Sequence, residues 1–170
     1  CCSVVLLALV LTACTPPQTP PDPNPVLKAV TLDRTKMIAG QTLYVPIYSH
    51  IYTWEQSRIL NLTATLSIRN TDLTHRIIVT AIDYYNSSGK RVRKYLEQPG
   101  ELQPLAAASF VVNQEDTSGG SGAAFIVEWV AATEVSAPVI EAVMINTSGN
   151  QGISFVSPGR VINSRSVHQP

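Results

Sequence analysis

An alternating run in the middle of the chain indicates its architecture, and it reads Leu62-Thr63-Ala64-Thr65-Leu66-Ser67-Ile68-Arg69. Apolar and polar residues alternate in this run, as they do where successive side chains of a β-strand point to opposite faces of a sheet. One face of the run is apolar and the other is polar or charged, which is typical of a strand buried on one side. The run therefore predicts a half-buried strand, and it is the clearest strand pattern in the chain.

Further short runs lie on both sides of this strand and are separated by turn residues, which favours an all-β domain. Residues 77–85 are apolar on both faces near their middle, so we expect a central strand there. Residues 86–89 predict a tight hairpin, and the basic residues 90–94 predict an edge strand, because charges discourage edge-to-edge pairing. In residues 123–132, Phe125, Val127 and Trp129 share one face of another predicted strand.

These patterns predict one domain over residues 26–162, an antiparallel β-sandwich of about seven strands that is immunoglobulin-like or fibronectin-like. A small β-barrel is the alternative that the same strands allow. Residues 163–170 are polar and predict a flexible tail. With 170 residues, of which 45% are hydrophobic and 14% are charged, the chain can bury a sizeable core.

The net charge argues against nucleic-acid binding, and the spacing of the histidines and cysteines argues against a metal site. Twelve basic and twelve acidic residues cancel, so no long-range field favours nucleic acid, and we expect no nucleic-acid partner. None of the histidines has a second histidine or a cysteine at ligand spacing, and a site at His50 would need a carboxylate such as Glu55. We interpret the three histidines, His50, His75 and His168, as exposed loop residues, and we predict no metal and no cofactor.

The first fourteen residues resemble the signal peptide of a bacterial lipoprotein. Residues 4–11 are apolar throughout, a run with the length of a signal-peptide core that is too short to span a membrane. The run ends in Leu11-Thr12-Ala13-Cys14, which resembles the lipobox, the motif whose cysteine is acylated before cleavage on its N-terminal side. We therefore expect residues 1–14 to direct export and Cys14 to become a lipid-bearing N-terminus, the only cysteine left after processing.

Residues 15–25 contain six prolines in eleven positions. Such a segment favours extended polyproline II, and its reach is on the order of 30 Å. We interpret it as a linker that holds the domain away from a membrane. Thr15 follows the lipobox cysteine, and its resemblance to the sorting signal of Gram-negative lipoproteins implies the outer membrane, on the periplasmic face.

Several segments of the predicted domain together resemble one family. They are residues 44–52, 62–72, 83–85, 116–122, 125–129 and 149–155. The chain resembles an uncharacterised family of short exported bacterial proteins, domain of unknown function 3124, over residues 41–162. The resemblance implies export and assigns no activity.

One candidate site is the glycine-rich segment of residues 116–122. Gly119-Gly120-Ser121-Gly122-Ala123 partly matches the nucleophile elbow of hydrolases, but Ala123 replaces the final glycine and a strand follows where a helix is required. A glycine-rich connection between strands is the favoured interpretation. Its backbone amides also suit an anion or a small polar ligand. The candidate residues for such a ligand are Asp116, Ser118, Gly119, Gly120, Ser121 and Gly122.

Two further candidates are a pair of carboxylates and an aromatic stretch. Asp83 and Glu128 lie within apolar strands, where an acid is costly unless it is paired or solvent-facing. They would form an acid–base pair if their carboxyl groups met in a cleft within about 10 Å, and the more common arrangement is exposure or pairing with an arginine such as Arg69. The aromatic stretch suits recognition of a glycan or a protein, against core packing as the alternative, and comprises Tyr44, Tyr48, Tyr52 and Trp54.

Two classes of function fit these features. The first is a membrane-anchored lipoprotein whose sandwich is a non-catalytic binding or scaffolding module for an envelope protein or glycan. The second is an envelope hydrolase that uses Ser121 with Asp116, or Asp83 with Glu128. The sequence favours the first, because no complete catalytic motif is present.

Overall fold

The computed structural model of the protein describes residues 27–148 and 152–166. The predicted signal peptide with Cys14, the proline-rich linker and His168 lie outside these residues. Within the described ranges the chain forms thirteen strands and one short 3-10 helix, Arg34–Lys36. The strands are β1 (Lys28–Ala29), β2 (Ala39–Ile47), β3 (His50–Tyr52), β4 (Ile59–Asn61), β5 (Thr63–Arg69), β6 (Ile77–Tyr85), β7 (Arg91–Lys94), β8 (Gly100–Leu102), β9 (Ala107–Val112), β10 (Ala123–Ala131), β11 (Val139–Asn146), β12 (Ile153–Pro158) and β13 (Arg160–Ser166).

The strands form two antiparallel sheets that enclose one core, so the predicted all-β sandwich is confirmed. The larger sheet has seven strands in the order β1-β8-β6-β10-β2-β13, with β7 paired to β6. The smaller sheet has four strands in the order β12-β11-β5-β9, and β3 pairs separately with β4. Neither of the two main sheets closes on itself as the alternative barrel would require. In the described ranges, no helix is both long enough and apolar enough to cross a membrane.

The alternation predicted for β5 and β10 is confirmed, because the apolar side of each strand faces the core. The buried side chains of these two strands include Ala64, Leu66, Ile68, Phe125, Val127 and Trp129. The predicted central strand is also confirmed, since β6 pairs with β10 on one edge and with both β7 and β8 on the other. The basic strand β7 lies at an edge, because β6 is its only ladder partner among the described strands.

The last described strand, β13, forms one edge of the larger sheet. After β12 the chain crosses from the smaller to the larger sheet at Gly159, whose amide donates to the carbonyl of Ile140 at 2.8 Å. A Cβ at Gly159 would lie 2.7 Å from that carbonyl oxygen, so the crossing requires glycine. Strand β13 then pairs with β2 and continues to Ser166, through the first residues of the segment predicted as a flexible tail.

A buried polar corner after β5 ties the two sheets together, and Asn70 is its centre. The Asn70 side-chain amide lies within hydrogen-bonding distance of three carbonyl oxygens, those of His75 at 2.8 Å, Leu102 at 3.2 Å and Gln103 at 3.1 Å. Its own oxygen accepts from the Asp72 amide at 3.0 Å. Because β5 belongs to the smaller sheet and Leu102 ends β8 of the larger one, this side chain bonds one sheet to the other.

Asp72 completes the corner through its carboxylate. Backbone amides donate to it from Thr74 at 2.9 Å, Ser136 at 2.9 Å and His75 at 2.8 Å. These hydrogen bonds favour the charged form and hold the pKa of Asp72 well below the ordinary value of an aspartate. Residues 70–72 are therefore a structural joint between the two sheets. We refer to residues 70–75 as the polar corner.

Candidate functional site

The aromatic residues predicted as one recognition stretch lie in separate surroundings. Tyr44 is on the outer face of the larger sheet, because its neighbours along β2 point into the core. The ring of Tyr48 meets the ring of Phe155 edge-on, with 5.8 Å between centroids. Tyr52 ends β3, and Trp54 in the following loop is 87% exposed. The four aromatic residues therefore do not form the single recognition surface that was predicted. Tyr44 lies on a different surface from the β3–β4 hairpin.

Tyr44 instead lines a groove that runs across three strands of the larger sheet. Strand β10 lies between β2 and β6, where Ile126 is opposite Tyr44 and Ala124 is opposite Tyr85. The groove has a volume of about 280 Å³, and its lining includes Tyr44, Tyr85, Asn86, Gly122, Ala124 and Ile126. We call this feature the tyrosine groove. Its lining contains one residue of the predicted aromatic stretch, Tyr44, and one residue of the predicted glycine-rich site, Gly122.

The polar groups of the tyrosine groove are open to a ligand. Among the described residues, no hydrogen bond engages the hydroxyl of Tyr44 or that of Tyr85. The side-chain oxygen of Asn86 accepts from the amides of Ser88 at 3.1 Å and Lys90 at 2.9 Å. These two bonds orient the Asn86 amide and leave its nitrogen without a partner in the described part of the chain.

The glycine-rich loop, residues 116–122, begins with a carboxylate that is already engaged. Asp116 pairs with Arg93 at 2.8 Å, and it accepts hydrogen bonds from the hydroxyl and the amide of Ser118. The Ser118 hydroxyl, with help from Arg93, lowers the pKa of Asp116 below its ordinary value. Within the described ranges, no hydrogen bond links Asp116 to Ser121.

Most backbone amides of the glycine-rich loop have partners within the protein. The amide of Gly122 donates to the Ser87 hydroxyl at 2.9 Å, and that hydroxyl donates to the carbonyl of Gly119 at 3.0 Å. The Ser87 amide also donates to the Gly119 carbonyl at 2.9 Å, while the Ser49 amide donates to the Gly120 carbonyl at 3.0 Å. Hydrogen bonds to Ser49 and Ser87 therefore hold the loop against two other segments of the domain.

The glycine-rich loop rests on a buried tyrosine, Tyr84, that is not among the residues predicted for the site. Tyr84 is fully buried, and a hydrogen bond of 2.9 Å joins its hydroxyl to that of Ser49. Burial raises the pKa of Tyr84. A Cβ at Gly119 would overlap the Tyr84 hydroxyl, so the absence of a side chain lets the loop approach this ring. No local signal in the sequence links Tyr84 to Gly119, since the contact is between distant residues.

The two predicted carboxylates share a face of the larger sheet and have different surroundings. Asp83 is opposite Ile126, and Glu128 is opposite Ala81, one step further along the same face. Asp83 forms an ion pair with Arg91 at 3.3 Å. The expected pairing with an arginine is therefore present, and the partner is Arg91 rather than Arg69. Glu128 lines a second, polar groove of about 210 Å³, and Asp83 is not among the lining residues of that groove.

The two described histidines do not gather with other metal-ligating groups. Across residues 27–148 and 152–166, no three histidine, cysteine or carboxylate residues lie close enough together to hold a metal ion. His75 contacts Asp72 at 3.2 Å as part of the polar corner. His50 is opposite Asn61 in the β3–β4 ladder, and its Nδ1 and the Asn61 side-chain oxygen are buried without partners in the described structure.

Comparisons with known proteins identify a family and no activity. No curated protein matches the chain. A solved structure titled as the crystal structure of Thermotoga maritima 1070 is similar at 12% identity, with a TM-score of 0.40, over 71% of this chain and 92% of that one. The model of the family described as protein of unknown function, DUF3124, matches residues 40–162. This match spans most of the sandwich and agrees with the resemblance found in the sequence, so the chain belongs to the DUF3124 family.

Proposed function

We propose that this protein is a lipid-anchored bacterial lipoprotein whose sandwich is a non-catalytic binding module in the cell envelope. The anchor is Cys14, at the end of a signal peptide over residues 1–14. The proline-rich linker of residues 15–25 holds the domain away from the membrane. Thr15 after the cysteine favours the outer membrane, with the domain in the periplasm.

The observation that carries the binding role is the tyrosine groove. It is concave and lies on a strand face, and its two tyrosine hydroxyls are not engaged by described residues. Aromatic side chains with polar tips are favoured at recognition surfaces because they supply contact area and hydrogen bonds together. A groove of this kind on a rigid sheet suits binding of an envelope component.

A non-catalytic role is favoured because two of the candidate catalytic acids are engaged in ion pairs and hydrogen bonds within the protein. Asp116 is held by Arg93 and Ser118, and Asp83 is held by Arg91. A general acid would need to carry a proton near neutral pH, whereas the pKa of Asp116 is lowered. Hydrolysis of envelope material by the purified protein that disappears in Ser121→Ala would contradict the non-catalytic assignment.

Lipid anchoring is tested by replacing the acylated cysteine. In cells that make the full chain, Cys14→Ser should move the protein from the membrane fraction to the soluble fraction, because the chain then lacks the acyl groups that Cys14 would carry. The matched control is Cys2→Ser, which changes a cysteine of the leader and should leave the protein in the membrane fraction. A Cys14→Ser protein that stays in the membrane would contradict the anchor.

The binding role is tested with a photoreactive phenylalanine analogue at position 126, in the floor of the tyrosine groove. Irradiation of intact cells should attach an envelope component to this position. The matched control carries the same analogue at position 156, on the exposed side of β12 in the smaller sheet. Attachment from position 156 alone, or from neither position, would contradict a binding module that uses the groove.

A further inference from the structure

We infer that the tyrosine groove binds a sugar ring of an uncharged glycan. This inference rests on the proposed function and names the class of ligand. The two tyrosines come from strands on either side of β10, so β2 and β6 run about 10 Å apart. A six-membered ring that contacts an aromatic face on each side needs about 7 to 8 Å between those faces. Tyr44 is opposite Ile126 and Tyr85 is opposite Ala124, so the two tyrosines are also offset by two residues, about 7 Å, along β10. This diagonal spacing leaves room for one ring between them.

The floor of the groove determines how deep that ring sits. Ala124 is opposite both Pro46 and Tyr85, and Ile126 is opposite Tyr44. The small side chain of Ala124 and the absent one of Gly122 leave space beside the larger tyrosines. The volume of about 280 Å³ lies near the lower end of ligand pockets, roughly 300 to 1,000 Å³. This size suits one ring-sized group of a longer molecule.

The polar groups of the groove match the edge of a sugar. A pyranose ring has an apolar face of C–H groups and a rim of hydroxyls, so it needs aromatic contact and hydrogen bonds in one place. The tyrosine faces offer the first, and the second comes from the two tyrosine hydroxyls and the Asn86 amide nitrogen. None of these three groups has a hydrogen-bond partner among the described residues.

The charges around the groove favour an uncharged ligand. No carboxylate and no cationic side chain lines it, since its lining residues are tyrosine, asparagine, serine, glycine, alanine and isoleucine. The nearest acid along the sheet, Asp83, is paired with Arg91 at 3.3 Å. Arg160 is opposite Tyr44 and Arg91 is opposite Tyr85, each on the side of its tyrosine that faces away from β10. Between the tyrosines a charged group would be buried among uncharged side chains, and this is costly.

The ladder argues against an extended peptide as the ligand. A peptide that binds by strand addition needs the unpaired edge of a sheet. The floor strand β10 has no such edge, because it pairs with β2 along one side and with β6 along the other. A peptide backbone in this groove would find few partners for its amide and carbonyl groups, whereas sugar hydroxyls need only the three groups at the rim.

The test is calorimetric titration of the intact, lipidated chain in a detergent without sugar headgroups. The probes are tetramers of β-1,4-linked N-acetylglucosamine, of α-1,4-linked glucose and of β-1,3-linked glucose. We expect saturable binding of at least one tetramer. Tyr44→Ala and Tyr85→Ala should each weaken that binding about tenfold or more, while Tyr44→Phe, which keeps the ring, should weaken it less.

Tyr48→Ala and Tyr52→Ala are matched controls, because both remove an exposed tyrosine outside the groove, and they should bind within about twofold of the unchanged protein. Urea unfolding of every variant confirms that it is folded. Absence of saturable binding by all three tetramers, or binding that persists unchanged in Tyr44→Ala and Tyr85→Ala, would overturn the inference. If position 126 then still attaches to an envelope protein, the binding module stands and only its sugar ligand is wrong.

Discussion

The polar groups of the glycine-rich loop and those of the tyrosine groove differ in where they find partners. In the loop, backbone groups bond to Ser49 and Ser87, and Asp116 bonds to Arg93. In the groove, the hydroxyls of both tyrosines have no partner among described residues. The loop resembles the polar corner, whose bonds also end within the protein. A polar loop therefore indicates a ligand site only if some of its polar groups have no hydrogen-bond partner within the protein.

The largest expected effect of a single substitution is at the contact between the loop and the core. Gly119→Ala places a methyl group against the Tyr84 hydroxyl, which is buried and bonded to Ser49. Overpacking of this kind should lower the free energy of unfolding by about 3 kcal/mol, measured by urea denaturation. Gly122→Ala is the control, since its Cβ would meet no atom closer than 3.4 Å. Equal stability of the two variants would mean that the loop does not rest on Tyr84.

The polar corner should be the next most sensitive region. Asn70→Ala removes the two N–H donors that lie within hydrogen-bonding distance of three carbonyl oxygens, and buried carbonyls without partners cost about 2 to 3 kcal/mol in total. Urea denaturation again measures the loss. Asn113→Ala, at an exposed position, serves as control and should change stability by less than about 0.5 kcal/mol. A loss as small as that of the control would show that the two sheets do not depend on this side chain.

The corner should also make stability depend on pH in the acid range. The folded-state pKa of Asp72 is depressed, so its contribution is fully present above the unfolded value of about 3.9. The contribution is lost as the pH falls through the folded pKa. Urea unfolding from pH 7 to pH 2.5 should show a smaller acid loss in Asp72→Asn than in the unchanged protein. Parallel pH curves for the two proteins would contradict the hydrogen bonds to a charged Asp72 carboxylate.

The smallest effect on stability should come from the groove itself. Tyr44 is 38% exposed and forms no hydrogen bond with described residues, so Tyr44→Ala should cost about 1 kcal/mol or less. The same urea measurement compares it with Gly119→Ala. A loss as large as that of Gly119→Ala would place Tyr44 among the residues that hold the fold, and would weaken its assignment to binding.

The sequence predicts the strands of the core because their signal is local. Ala64, Leu66 and Ile68 alternate with polar residues along β5, and the period alone places them on one face. Thirteen strands are present in the described residues where about seven were expected. Strands of two to four residues, such as β1 and β8, are too short for an alternation to be read. Strand β13 is mainly polar and at an edge, so its residues lack the pattern of a buried strand.

The candidate site depends on contacts that no local pattern encodes. Tyr44 and Tyr85 line one groove across β10 only because of the register of two ladders. The contact of Gly119 with Tyr84 and the bonds of Asn70 to β8 likewise join distant parts of the chain. The sequence could therefore identify tyrosines, glycines and turn residues as candidates, but it could not predict which of them share a surface.

The contrast between loop and groove is tested most directly by nuclear magnetic resonance. The isotope-labelled intact chain is titrated with whichever sugar tetramer binds it most tightly, and the backbone amide signals are followed. We expect the largest shifts at Tyr44, Tyr85, Ala124 and Ile126, with little change at residues 118–120. Shifts centred on residues 118–120, with the groove residues unchanged, would contradict the account.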